Sequence, residues 1–595
     1  MAKSWRFAPH DRAVIARLTQ ELGCSPLLAA VMAARGYPNG DEARAFLKAD
    51  IQDLHDPSLL PGVDEASRRI AAAVQTGRRV TIYGDYDVDG VTATSILWHC
   101  IKLAGGSVDY YIPSRLEEGY GLNCDALRTL HEEDPQRLLV TVDCGIASVN
   151  EAALAAELGL ELIVTDHHNF AAELPAAAVL VHPRLPGAQC PFTDLCGAGV
   201  AFKLAWAVCQ RLGDGTKASP RMREFLISAV GLAALGTVAD VVPLHGENRI
   251  LVAYGLQVLQ KPQGPGLEAL KRIAGLTDKT RLTAEDIAFG LSPRINAAGR
   301  LGQARLAVEL LTTDNQARAV GLADYIDQLN KNRQTVERRI FRQAKELVAE
   351  HDGWEEQQAL VLAHPEWHPG VIGIVASRIA EHFERPAVLI ALNQEEGLGL
   401  GSGRSFADFD LHAGLTACAD HLETYGGHRA AAGLRVRMDR IDDFRETLAA
   451  YTREHHRPTA RDVELKVDAE VSLADLTPRA VHELEQLGPF GSQNRRPVFA
   501  SASVRLVEPP QTMGGGERHL SVRVRQSGQV FRAVAFGKAD WAGPLAAVDG
   551  PLLVCFEASI NSFGGYERVE LRLIDWQPDA APTHADDSRV SGSLT

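Results

Sequence analysis

Four stretches in the first 240 residues combine an apolar run with an acidic or imidazole terminus, and this pattern constrains the fold more than any other feature. Arg79-Val80-Thr81-Ile82-Tyr83 runs into Gly84-Asp85-Tyr86-Asp87-Val88-Asp89-Gly90, and Leu138-Leu139-Val140-Thr141-Val142 into Asp143-Cys144-Gly145. Leu162-Ile163-Val164-Thr165 ends in Asp166-His167-His168, and the less strand-like Ala233 to Ala239 segment ends in Asp240. A carboxylate brought to the edge of an apolar core is costly unless it is paired or coordinates a cation. Several of them converging with imidazoles imply bound divalent metal.

The same runs set the architecture. Helical patterns separate them (Gly90 to Leu103, Val149 to Leu158), and further strands are expected at Val108 to Ile112 and Val179 to Val181. An alternating βαβα order predicts a mostly parallel sheet with right-handed crossovers. Such sheets bind ligands beyond the carboxyl ends of their strands, where these Asp and His residues lie.

At 595 residues the chain exceeds one core, so three or four domains are expected. Residues 1–50 read as a helical extension (Pro26 to Arg35, Gly40 to Ala49) and 51–312 as the first α/β domain, with helical patterns dominating from Gly197 to Leu276. A charged segment from Thr313 to Glu350 carries Leu322, Ile326, Leu329, Val336 and Ile340 at helical spacing, which predicts one long helix joining two lobes (313–352). A second α/β domain is placed at 353–455. Residues 462–576 read as a small barrel of OB size, with strands at Val504–Val507, Leu520–Val524, Val530–Phe536, Leu552–Ala558 and Val569–Ile574. The polar tail 577–595 is expected to be disordered. No internal repeat is visible.

Composition narrows the classes. Met1 to Arg12 lacks the apolar stretch of a secretory signal. No apolar run reaches the ~18 residues of a membrane span; the longest, Leu226 to Ala239, stops at Asp240. Nine scattered cysteines without a C-x-x-C pair argue for a reducing, cytoplasmic compartment. Cys190 and Cys196 with His182 have the wrong spacing for common zinc motifs and read as ordinary buried thiols. A formal charge of −15 argues against an indiscriminate nucleic-acid binder, although a basic groove can coexist with an acidic exterior.

From chemistry alone, Asp87 and Asp89 can each face one of two neighbouring cations, with Asp143 bridging both. His167 and Asp240 complete one coordination sphere, and Asp85 supports the other. Carboxylate with imidazole suits Mn2+, Mg2+ is plausible, and zinc is disfavoured because Cys144 is the only nearby thiol. Two cations about 4 Å apart can activate water for in-line phosphoryl displacement. A plainer role stays open for two of these carboxylates. Asp85 can be only a helix N-cap, and Asp166 can orient its neighbouring histidine instead of binding metal.

These residues resemble the DHH phosphoesterase superfamily, whose name-giving triplet matches Asp166-His167-His168. Within it, Gly84 to Gly90 is similar to the first motif of the RecJ exonucleases, and Ser292-Pro293-Arg294-Ile295-Asn296-Ala297-Ala298-Gly299-Arg300 resembles another of their signatures. His368 to Gly373, Gly401-Ser402-Gly403-Arg404-Ser405 and Gly426-Gly427-His428 through Gly433 fit the accessory DHHA1 domain. One departure stands out. Many members carry a histidine four residues before the first metal-binding aspartate, whereas this chain has Tyr83, a poor ligand, so the resemblance shifts that role to Asp85.

The resemblance implies a 5′-to-3′ exonuclease that releases 5′-mononucleotides from single-stranded DNA in recombination and repair. The implied protein is a cytoplasmic monomer that does not associate with membranes, with a single-strand-binding protein and a RecQ-type helicase as partners. Arg404 and Ser402, among glycines, suit a terminal phosphate; Arg115, Arg294, Arg300 and His428 are further candidates. His168 would hydrogen-bond the phosphoryl group as charge develops. DNA would thread between the two α/β lobes with its 5′ end inward.

In the barrel, Arg518, His519, Arg523, Arg525, Arg532 and Lys538 interleave with Phe531, Phe536 and Trp541, the pattern of a single-strand groove; of these we select Arg523, Arg525, Phe531, Arg532 and Phe536. Barrel aromatics are as often core. Two rival readings remain: a phosphoesterase for short oligonucleotides, cyclic dinucleotides or pyrophosphate, and a non-catalytic single-strand-binding scaffold.

Overall fold

The computed structural model describes residues 4–115, 118–350, 357–456, 464–561 and 566–579. They form two compact units. One is the segment from Ile51 to Pro458, and the other joins the N-terminal 50 residues to the chain beyond Thr459.

The larger unit begins with a five-stranded sheet in the order Val108–Tyr111, Val80–Gly84, Leu138–Val142, Glu161–Thr165, Val179–Val181. Every pairing is parallel. Val80–Gly84 and Leu138–Val142 are buried at every position, as expected where helices cover both faces. The chain moves outward from the first strand to Val108–Tyr111 and then crosses to the other side at Leu138–Val142. The topological switch point therefore lies between Val80–Gly84 and Leu138–Val142, the crevice where open α/β sheets take ligands.

The segment ending at Asp240 is helix, in keeping with the helical patterns expected from Gly197 to Leu276. The apolar run is the second half of Pro220–Ala239, a 20-residue helix. By length and composition it could cross a membrane, but more than half of its apolar window is buried within the protein. It lies beside helices Val88–Leu103, Gly197–Arg211 and Gly246–Gln260. Small residues such as Gly231 and Gly236 let those neighbours approach closely.

Gln316–Glu350 is a single helix of 35 residues, starting three positions later than the spacing predicts. It leads to a second five-stranded sheet in the order Leu422–Gly427, Ala431–Arg437, Leu398–Arg404, Ala387–Asn393, Leu360–His364. Only the last pair is parallel. Helix Pro369–Phe383 covers one face through Val371, Ile372, Val375 and Ile379.

The smaller unit is a barrel. Phe499–Leu506, Leu552–Asn561, Arg568–Pro578, Gln529–Ala535 and His519–Gln526 pair in that order. The circle closes where Arg505 and Leu506 meet Arg525 and Val524. The expected five strands are present, four of them longer than their apolar cores suggested and Gln529–Ala535 shifted by one residue, with Gln511–Met513 and Ala469–Glu470 added at the margins. Residues 1–50 differ from an extension that merely precedes the first domain. Ser4–Phe7 pairs in parallel with Glu464–Val467, and Leu18, Leu27, Leu28 and Met32 share one core with Phe499, Phe556 and Leu571. A helix, Arg12–Leu22, also lies there that the sequence reading did not place. Of the tail, Gln577 and Pro578 extend the last strand, and residues 580–595 lie outside the described ones.

Candidate metal centre

The two strands flanking the switch point deliver the acidic residues. Asp85 leaves Val80–Gly84 fully buried. Two residues on, Asp87 caps helix Val88–Leu103, its Oδ1 accepting from Asp89 N (2.8 Å) and Gly90 N (3.2 Å). The capping role considered for Asp85 thus belongs to Asp87, which offers its second oxygen elsewhere. Asp143 leaves Leu138–Val142 in the left-handed region at φ +62°, and Val241, just after Asp240, shares that φ. A β-branched residue there is strained, and strain of this kind concentrates at functional sites.

Asp89 turns back from the first helical turn to the start of Gly197–Arg211. Its oxygens accept from Gly197 N (2.6 Å) and Ala198 N (2.8 Å), groups a helix N-terminus leaves unpaired. Glycine is required at two contacts. A Cβ on Gly197 would stand 2.5 Å from Asp143 Oδ1, and one on Gly236 2.4 Å from Asp89 Oδ1.

His167 meets these carboxylates. Its Nε2 lies 3.1 Å from Asp143 Oδ1, 3.6 Å from Asp240 Oδ2 and 3.8 Å from Asp89 Oδ2. Three overlapping sets have ligand atoms close enough to share a cation: Asp89, His167 and Asp240; Asp85, Asp87 and Asp143; Asp143, His167 and His168. Asp143 Oδ1, His167 Nε2 and Asp85 Oδ1 are buried without a hydrogen-bond partner among the described residues. Buried polar atoms are rarely left so, and a donor set of carboxylates and imidazole fits a divalent cation.

Titration follows the same logic. Burial first, then neighbouring carboxylates, pushes Asp85 and Asp143 well above the carboxylate range. The same causes take Asp240 up to about 8. Burial also raises Asp89, against the pull of His167, and drives His167 down to about 4, which leaves the imidazole neutral. His168 goes the other way. Burial opposes its charge, but the Asp166 hydrogen bond at 2.8 Å and the surrounding carboxylates raise it to about 9. Asp166 is spent on orientation: Oδ1 accepts from the His167 and His168 amides (2.7 and 3.1 Å) and Oδ2 from Ile146 N (2.9 Å).

Tyr83 is no ligand. Its hydroxyl donates to Gly121 O at 3.1 Å and its ring stacks on Tyr111, while Asp85 joins Asp87 and Asp143. Cys196 caps helix Gly197–Arg211 through its sulfur, Cys190 donates to Phe192 O, and His182 is held by backbone groups. Among the described residues these three form no ligand cluster.

Beside the acidic cluster stands a cationic one. Burial, then Arg115, Arg333 and Arg404, lowers Arg300 to about 10; burial and Arg115 lower Arg404. Among the described residues, no carboxylate pairs with Arg115, Arg300 or Arg404. Mutually repelling guanidinium groups suit an anion. Arg404 Nη1 donates to Ser402 Oγ (3.1 Å) and Gly403 O (2.7 Å). A Cβ on Gly373 would stand 2.9 Å from that Oγ, so helix Pro369–Phe383 begins against the pair. Arg300 Nη1 reaches Gly370 O at 3.2 Å, and Arg115 lies over the Tyr86 ring.

Arg294 does not belong to this group. It donates to Asp327 (2.9 Å), Gly290 O (2.6 Å) and Ile273 O (3.1 Å), a structural tie that engages all three of its nitrogens. His428 is exposed in the hairpin turn next to the strand that pairs with Arg404, and among the described residues no side-chain hydrogen bond or ion pair draws it toward the arginines.

Sequence reasoning missed Tyr120, half-exposed, whose hydroxyl donates to Asp143 O (3.1 Å) and meets His168 Nδ1 (3.0 Å). The Gly119-Tyr120-Gly121 turn was the available signal. It also missed Asn296, which accepts from Val88 N at 3.2 Å and so ties the Ser292–Arg300 helix to the first motif.

In the smaller unit, Phe531 packs partly on the barrel core. It also lines a cleft of about 900 Å³ with Arg523, Arg532, Tyr566 and Arg568. Arg532 pairs with Glu570 and Arg523 with Glu508. Arg525 faces Val530 across the strand pair. Phe536 is 57% exposed, edge-on to His519; Trp541 packs against the core.

Residues 79–237 match the DHH family N-terminal domain, 356–454 the DHHA1 domain and 467–575 the RecJ OB domain. The single-stranded-DNA-specific exonuclease RecJ of Bacillus subtilis (strain 168) is 37% identical over 576 residues, covering 96% of this chain and 70% of its own. The chain belongs to the RecJ family. Crystal structures of RecJ from Thermus thermophilus agree. The complex with Mn2+ superposes with TM-score 0.80 at 33% identity, over 97% of this chain and 80% of that one. The complex with Mg2+ gives 0.75 at 32%, over 97% and 79%. Both carry divalent cations of the class the donor set suits.

Proposed function

We propose that this RecJ-family chain is a single-strand-specific DNA exonuclease that hydrolyses phosphodiesters from the 5′ end and releases 5′-mononucleotides. The observation that carries the reading is a juxtaposition. Buried carboxylate and imidazole atoms without partners, Asp143 Oδ1 and His167 Nε2, lie 3.1 Å apart, and in the same unit a cluster of arginines lacks acidic partners among the described residues.

Asp87, Asp89, Asp143, His167, Asp240 and Asp85 would hold two divalent cations, Mn2+ preferred and Mg2+ accepted, with Asp143 between them. When bound, these supply Lewis-acid polarisation of the scissile phosphate and neutralise its charge. Arg404 and Ser402 grip the terminal 5′-phosphate, with Arg115 and Arg300 beside it and His428 at the rim. That grip sets the next phosphodiester at the acidic cluster. His168, oriented by its hydrogen bond to Asp166, donates to a phosphoryl oxygen as charge accumulates. Water adds at phosphorus, the bond to the O3′ of the departing nucleotide breaks, and the new 5′-phosphate stays on the shortened strand. Arg523, Arg525, Arg532, Phe531 and Phe536 of the barrel track the strand further along. The expected setting is cytoplasmic recombination and repair, acting as a monomer with a single-strand-binding protein and a RecQ-type helicase.

Oligonucleotides labelled at either end, single or double stranded, with Mn2+ and Mg2+ in turn, test this reading. Mononucleotide release from the 5′ end of single strands is expected, and Asp143→Ala should abolish it with the circular dichroism unchanged. Near-normal activity in that variant contradicts the role of Asp143.

A further inference from the structure

His182, singled out in the sequence and absent from the reaction described above, lies completely buried at the end of edge strand Val179–Val181. Its Nδ1 accepts from Arg184 N at 3.0 Å, so the proton sits on Nε2, which donates to His168 O at 2.9 Å. The ring packs against Phe170, with centroids 4.6 Å apart. Arg184 in turn donates through Nη2 to His167 O. On the amide side of the same turn, Asp166 accepts from both His167 N and His168 N, and Asp166 N donates to Val181 O at 3.1 Å. Every main-chain polar group of the two histidines is therefore held, the amides by Asp166 and the carbonyls by the His182-Pro183-Arg184 segment.

Such clamping has a use. Among the described residues nothing hydrogen-bonds His167 Nε2 itself, and the backbone that carries it helps set its aim toward Asp89, Asp143 and Asp240. Hydrogen bonds that orient ligating groups matter nearly as much as the ligands themselves, typically about 10–100-fold in metal affinity or activity.

We propose that His182, seconded by Arg184, is a positioning residue that fixes the His167-His168 turn so that the His167 imidazole meets a divalent cation. This rests on the reading of His167 as a ligand. His182 acts through the His168 carbonyl and touches neither substrate nor metal.

The test titrates the full-length, metal-free protein with Mn2+ and follows the free-ion signal by electron paramagnetic resonance, with steady-state kinetics on a 5′-phosphorylated single strand. His167→Ala comes first; if it binds Mn2+ as the parent does, the ligand reading itself fails. Given weakened binding there, His182→Leu should weaken Mn2+ binding about 10–100-fold and lower kcat, leaving KM for DNA unchanged. His182→Gln, whose amide can donate to His168 O, should restore most of both. Arg184→Met removes an exposed side chain and should weaken binding about fivefold, the worth of one ordinary hydrogen bond. Parent-like Mn2+ affinity in His182→Leu, or a Gln variant no better than Leu, overturns the positioning role while leaving the ligand reading intact.

Discussion

Gly236→Ala is the most informative single perturbation of this centre, because it moves a proposed ligand without altering any ligand's chemistry. The new methyl would stand 2.4 Å from Asp89 Oδ1, 2.5 Å from the Ala198 methyl and 2.8 Å from Thr92 Oγ1. An unstrained contact needs about 3.5 Å, so roughly 1 Å must be found. Helix Pro220–Ala239 is packed between neighbours and yields little. Asp89 cannot retreat without stretching its bonds to Gly197 N and Ala198 N (2.6 and 2.8 Å). Overpacking of this size costs about 1–3 kcal/mol of stability. A reacting group displaced by about 1 Å can cost about 10²-fold in rate, or about 2.7 kcal/mol of barrier. The expected result is a folded protein, its Tm lowered by a few degrees, whose kcat on single-stranded DNA falls about 100-fold and which needs more Mn2+ for half-saturation. Thermal melts, Mn2+ titrations and initial rates measure all three. Parent-like kcat with parent-like Mn2+ dependence would refute the claim that Asp89 must sit where the helix N-terminus holds it.

Other outcomes follow from the same geometry. Asp240, raised to about 8 in the fold against about 3.9 unfolded, binds a proton when folded that the unfolded chain has already released, so it makes the metal-free protein lose stability as pH rises between those values. The stability of Asp240→Asn relative to the parent should therefore grow from pH 5 to pH 8 without metal, and denaturant melts showing a flat difference would contradict the shift. Mn2+ loading near pH 7 should release protons, seen as a dependence of the calorimetric heat on buffer ionisation enthalpy; no such dependence would contradict it. Arg404→Lys removes the planar fork, and should raise KM about tenfold for 5′-phosphorylated strands and less for 5′-hydroxyl ones; equal effects on both would count against a terminal-phosphate grip. A barrel deletion must also remove residues 1–50, whose Leu18, Leu27 and Met32 share its core. The remaining 51–458 piece should lose far more affinity for long strands than activity on dinucleotides, and equal losses would contradict that division.

Much of the centre was legible because its signals are local. An apolar run that ends in Asp or His marks a strand's carboxyl end, and three of the four runs behave so. The fourth, less strand-like and set in a span of helical patterns, ends helix Pro220–Ala239 instead. Leu226 to Ala239 is rich in small residues because its helix is buried against three others, and burial on all sides erases the periodicity that separates helix from strand. Arg404 ranked ahead of Arg294 for the terminal phosphate because glycines surround it, but neither motif shows which guanidinium is tied down. Their roles diverge only because Asp327, 33 residues away, meets one guanidinium and among the described residues no carboxylate meets the other. Residues 1–50 join the barrel by pairing Ser4–Phe7 with Glu464–Val467, a contact across some 460 residues that no pattern reveals. Tyr120 escaped notice, and His182 drew it only beside Cys190 and Cys196, because both act on backbone oxygens and a hydrogen bond to a carbonyl leaves no trace in residue spacing.

On the proposed reading, the carboxylates and the His167 imidazole at the switch point hold the cations of hydrolysis. Crystals soaked in Mn2+ and measured at the manganese absorption edge decide the matter. Two anomalous peaks about 4 Å apart are expected, with Asp143 between them and one within bonding distance of His167 Nε2. Anomalous density elsewhere, with none within reach of Asp143 and His167, would contradict that reading.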